Sequence, residues 1–161
     1  MARAVDLAAR GLGTTSPNPV VGCVVIDADG NVVGEGWHER AGGPHAEVVA
    51  LARAGRRARG GTAYVTLEPC NHTGRTGPCA VALLNAGIAR VAFAVADPGV
   101  LAGGGAERLR TAGVEVTGGI GAAAAELVNE AWLTSARSGR PHVAWEFAVT
   151  SDVRVSGRPR R

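Results

Sequence analysis

A chain of 161 residues with 46% apolar content has the length and apolar matter for one domain with a buried core, and this excludes a disordered polymer. No apolar run approaches the roughly 18 residues of a membrane span, and "MARAVDLAAR" is no signal peptide, so a cytoplasmic protein without a membrane partner is expected. The net charge of +3 is a tail effect: Arg154, Arg158, Arg160 and Arg161 close the chain, and the remaining 13 arginines face 14 acids, so a nucleic-acid footprint is absent from the body.

In chain order, residues 2–12 place Val5, Ala8, Ala9 and Leu12 on one helical face, and "GTTSPNP" ends the pattern. "VVGCVVI" and "VVGEGWH" read as strands joined by the turn "DADGN", a hairpin. A helix over 45–55 ends near Gly55, and its exit carries Arg53, Arg56, Arg57 and Arg59, read as solvated charge favoured at a helix C-terminus. "TAYVTL" is a strand, 69–79 a polar loop, and 79–86 a short helix. "RVAFAVA" is a buried strand, "GAERLRTAG" a helix, "VEVTG" a short strand and "AAAAELVNEAWLTSAR" one longer helix. This alternation predicts a layered α/β domain with a largely parallel sheet beyond the hairpin. Residues 1–140 form the expected domain. "RPHVAWEFAV" after Gly139 reads as a strand stub leading into a basic tail, 141–161.

Three cysteines, an odd number, argue against a disulfide framework and for metal or catalysis. Cys23 lies mid-strand, where a free cysteine is a small buried hydrophobe. "GGPHAEVVAL" and "EPCNHTGRTGPC" bring the other two together with His45. Alone, His45 reads as a surface residue and a single Pro-Cys means nothing. The conjunction of H-A-E, E-P-C and a second P-C, each at an element boundary, is different. One imidazole and two thiolates, from His45, Cys70 and Cys79, suit one zinc ion per chain and leave a fourth tetrahedral position open. Two helix N-termini favour the thiolate form. Glu47 is close enough to exchange a proton with water at that position without being a ligand. H-x-E followed by P-C and a later Cys is the pattern of zinc deaminases, which replace a ring amino group by oxygen. Glu68 abuts the site and is expected to fix the loop.

The segments "GLGTTSPNPVVGCVV", "GEGWHERAGGPHAEVVAL", "TAYVTLEPCNHTGRTGPC" and "NAGIARVAFAVADP" resemble the N-terminal deaminase domain of the bifunctional riboflavin-biosynthesis deaminase/reductase. The wide Cys70–Cys79 spacing sets the chain apart from the P-C-x-x-C of other zinc deaminases. The resemblance implies a cytidine deaminase-like fold, three α/β/α layers around a mixed, mostly parallel five-stranded sheet, and a homodimer. It implies as substrate 2,5-diamino-6-(5-phosphoribosylamino)pyrimidin-4(3H)-one, a small phosphorylated aminopyrimidine, losing its 2-amino group as ammonia. The matching substrate positions are Asn18, His38, His72, Arg75 and Asp97. Arg75 stands where the family usually has Lys, and "DPGVLAGGG" lacks the Asn of its Asp-Pro-Asn-Pro. The family's second domain opens with a similar strand, but Glu146 replaces its Lys, and no reductase activity is expected. Two other readings are a deaminase of another cytosine-, guanine- or pterin-like base or nucleoside, and a zinc-stabilised regulatory or scaffold module.

Overall fold

The hairpin anticipated from the sequence forms one side of a five-stranded sheet, described in a computed structural model over residues 1–73, 77–99 and 103–147. Strands β1 (Gly22–Ile26) and β2 (Val32–Trp37) pair antiparallel. Asp27 shapes their turn: its Oδ1 accepts from the Asp29 and Asn31 amides, and its Oδ2 from Arg57 at 2.6 Å. Side-chain bonds of this kind replace the main-chain partners that a tight turn leaves over. β1 also runs antiparallel to β3 (Thr62–Leu67), and β3, β4 (Arg90–Val95) and β5 (Glu115–Thr117) are parallel, as expected beyond the hairpin. The order is β2-β1-β3-β4-β5.

Helices cover both faces. On one, α2 (Ala46–Ala54), α3 (Cys79–Ala86) and α4 (Gly105–Thr111) pack over Cys23, Val25, Ala63, Val65, Leu83, Val91 and Leu109. Cys23 is fully buried there, as its mid-strand position implied. On the other, α1 (Ala2–Ala9), α5 (Ala122–Val128) and α6 (Glu130–Ser138) bury Leu7, Val24, Leu67, Val95, Ala125 and Leu133. Glycines set the helix-to-hairpin distance: a Cβ on Gly36 would meet the Ala46 carbonyl and the Ala50 amide at 2.5 and 2.6 Å. The backbone of β2 therefore touches the backbone of α2 directly, which fixes where the first turn of α2 stands.

The expected boundaries fail in three places. The first helix stops at Ala9, and Leu12 is 57% exposed instead of joining its apolar face. The long helix of 122–137 is two helices meeting at Asn129, whose φ of −107° and ψ of 12° leave helical geometry. Buried Asn129 uses its carboxamide on a distant chain segment: Val20 N donates to Oδ1 at 2.9 Å and Nδ2 donates to Val20 O at 2.7 Å. Residues 141–147 form no strand; Val143, Trp145 and Phe147 are 80%, 86% and 67% exposed. Alternation makes a strand only where a neighbouring strand receives its hydrogen bonds. The rest of the basic tail lies outside the described residues. Among the described residues no helix is long and apolar enough to cross a membrane.

Candidate metal centre and active site

His45 caps α2; the first helical residue is Ala46. Its backbone is extended, φ −73° and ψ 158°, and its side chain caps nothing, so the imidazole is left for other work. Cys79 is the first residue of α3, directly after Pro78. Cys70 follows the C-terminal end of β3, and the start of α3 turns onto it: Cys79 N donates to Cys70 Sγ at 3.3 Å and Ala80 N to Cys70 O at 3.2 Å. The end of a parallel strand and two helix N-termini thus converge at one point, where α/β sheets commonly hold ligands.

His45 Nδ1 lies 3.2 Å from Cys79 Sγ and 3.6 Å from Cys70 Sγ, and the three donor atoms all fall within 4.8 Å of one another. Tetrahedral zinc with Zn–N near 2.0 Å and Zn–S near 2.3 Å places N and S about 3.6 Å apart. The donors fit that ion in type and spacing. Their protonation points the same way. A hydrogen bond from Cys79 holds the Cys70 thiol down at about 4, and the same bond holds the Cys79 thiol up. Two thiolates side by side repel, so one proton stays between them until a cation takes its place. The hydrogen bond with Cys70 raises His45 above its ordinary value against the opposing effect of burial.

Glu47, in the first turn of α2, is 3% exposed, and burial raises its carboxyl above the ordinary range. It lines one cavity with His45 and Cys70, which places it beside the donor set. That cavity, of about 220 Å³, brings Asn18, His38, His72 and Asp97 to one wall system with His45, Glu47 and Cys70. Asn18 is exposed on the loop before β1, and His72 is exposed at the rim. Asp97 follows β4; burial raises its carboxyl, opposed by a hydrogen bond from Gly99 N at 2.8 Å. His38 is 4% exposed with both ring nitrogens engaged, Nδ1 at 3.0 Å from Pro44 O and Nε2 at 3.3 Å from Asn18 Nδ2. Arg75 lies outside the described residues. Glu68 was expected to fix the loop that follows it; its carboxylate instead accepts from Asp97 N and from Ala106 N at the start of α4, tying down the segment after β4.

Trp132, from α6, also lines the cavity and was not singled out from the sequence. Its signal there is weak, since a tryptophan in an Ala-rich helix reads as ordinary packing.

Residues 1–95 match the family model of the cytidine and deoxycytidylate deaminase zinc-binding region. The riboflavin biosynthesis protein RibD of Escherichia coli (strain K12) is 51% identical over 157 residues, 97% of this chain and 42% of that protein. Acinetobacter baumannii RibD superposes with a TM-score of 0.84 at 49% identity, over 88% of this chain and 40% of its own. A Thermotoga maritima diaminohydroxyphosphoribosylaminopyrimidine deaminase/5-amino-6-(5-phosphoribosylamino)uracil reductase superposes at 0.90 with 41% identity, over 94% and 44%. The chain spans about two-fifths of the length of these relatives.

Proposed function

The chain belongs to the cytidine and deoxycytidylate deaminase zinc-binding family, alongside RibD proteins, and on that premise we propose that it hydrolytically deaminates a phosphoribosylated diaminopyrimidinone. The observation that carries the reading is the His45–Cys70–Cys79 donor set with Glu47 buried against it. His45 Nδ1 and the two Sγ atoms would hold one zinc per chain. Zinc, when bound, supplies Lewis acidity that makes water nucleophilic near neutral pH.

The residues do the rest. Glu47 receives the first proton of the attacking water on its carboxylate and passes it to a ring nitrogen; it then takes the second proton, from the hydroxyl now on the ring carbon, and gives it to the departing amine. The water oxygen bonds to the ring carbon, the carbon–nitrogen bond breaks, ammonia leaves, and Glu47 returns to its starting state. A carboxyl raised by burial shuttles protons nearer neutral pH than an exposed one. Asn18 reads a ring edge, Trp132 and Leu67 shield the ring from water, and His72, Asp97 and Arg75 receive the ribosyl phosphate end. Asp97 suits a sugar hydroxyl and Arg75 a phosphate. The same reading makes the protein a cytoplasmic homodimer, to be checked by light scattering.

The direct test is ammonia release by the zinc-loaded protein. The phosphoribosylated diaminopyrimidinone is expected to be turned over far faster than cytidine, cytosine or guanine. A preference for a free base would assign the protein to another substrate class.

A further inference from the structure

The Pro44 carbonyl can only accept, so the hydrogen between it and His38 Nδ1, 3.0 Å away, belongs to Nδ1. In a neutral imidazole Nε2 then offers only a lone pair. Asn18 Nδ2, 3.3 Å from Nε2, is the donor of that contact. A carboxamide has one donor end and one acceptor end, and His38 takes the donor end. No described residue donates to Asn18 Oδ1. That oxygen is the end of Asn18 left for a ligand, and Asn18 lines the cavity beside Glu47.

We propose that His38 is a positioning residue that sets the polarity of Asn18, so that the cavity offers the substrate ring a carboxamide oxygen and selects a ring edge bearing an N–H donor. The proposal rests on the deaminase reading above and deepens it. A nearly buried His38 with both nitrogens engaged has nothing left for a phosphate, so its influence on the substrate runs through Asn18. The class of ring admitted follows from hydrogen-bond complementarity. A lactam N–H or a ring amino group donates to Asn18 Oδ1. An edge with only lone pairs meets another lone pair and is disfavoured, which is selection by repulsion as well as attraction. The backbone holds the arrangement from both ends. Pro44 directly precedes the cap residue His45, and Thr15 Oγ1 donates to Asn18 O at 3.1 Å while Asn18 N donates to Thr15 O at 2.8 Å.

Two measurements decide it. In long-range proton–nitrogen spectra of the zinc-loaded protein without substrate, the His38 ring is expected as the Nδ1–H tautomer; an Nε2–H tautomer would turn the amide round and overturn the proposal. The second is a double-mutant cycle on ammonia release from the phosphoribosylated diaminopyrimidinone, with zinc content and melting of each variant recorded first. His38→Ala is expected to lower kcat/KM about 10-fold or more beside Asn18, and less than about 2-fold in the Asn18→Ala background. Equal losses in both backgrounds would show that His38 acts by another route. A wild-type protein inert towards this compound would sink the substrate reading and leave the tautomer measurement to decide the polarity of Asn18.

Discussion

Glu47 sits 3% exposed against the donor set, where it can move a proton but is shielded from bulk water. Glu47→Gln is expected to keep zinc and fold, because Glu47 is outside the donor set, and to lose the ~10²–10⁴ that proton transfer supplies. Ammonia release near the wild-type rate would remove Glu47 from the chemistry. Cys70→Ala and Cys79→Ala are expected to lose zinc, measured as metal per chain after dialysis; full occupancy in either variant would take that thiol out of the ligand set. The grouping of His45, Cys70 and Cys79 was legible because each directly follows a proline at an element boundary, and Glu47 because it stands two residues after His45, in a spacing that chemistry restricts. Trp132 and Asn129 were not, because their roles depend on where α5 and α6 land: Asn129 and its partner Val20 are 109 residues apart. Before the chain folds, nothing near them in sequence indicates a site.

Among the elements, the hairpin and α2 share the tightest constraint. Gly36→Ala would push a methyl into the Ala46 carbonyl and Ala50 amide, main-chain atoms that cannot swing aside. A loss of about 1–3 kcal/mol in stability is expected, as for overpacked cores. Because the shift falls on the first turn of α2, zinc affinity should drop as well; thermal melting with and without added zinc measures both. The turn at Asp27 has a separate signature. The Asn31 backbone amide, then Arg57, lowers the Asp27 carboxyl below its ordinary value. A lowered folded-state value means stabilisation present above the unfolded value of about 3.9 and lost as pH falls through the folded one. Asp27→Asn should therefore melt with a flatter pH dependence below about pH 4 than the wild type. The hairpin, β3 and β4 were readable from alternation and turn residues. The single helix drawn over 122–137 was wrong because helix periodicity is blind to a side chain whose best partners lie in another layer. The strand drawn over 140–149 was wrong over its described part, 140–147, because composition does not supply a neighbouring strand.

At the scale of the molecule, the layers were readable from the order of elements, while the insertion of β1 between β2 and β3 was not, since it depends on which strand edge the hairpin finds. Segments from opposite ends of the sequence, those of Asn18 and Trp132, line one cavity. The clamp between Asn129 and Val20 joins those ends, and it has a kinetic reading. Val20 N–H belongs to no strand, yet it is buried, and among the described residues it is bonded only through a side chain at the junction of α5 and α6. Its exchange with solvent deuterium should follow the rare parting of those two helices from the sheet instead of the fast flicker of a loop. Asn129→Ala should make Val20 a fast exchanger while Val24 and Val65, held by strand partners, stay slow. One amide would thus time the parting of α6, and with it Trp132, from the rest of the cavity's lining.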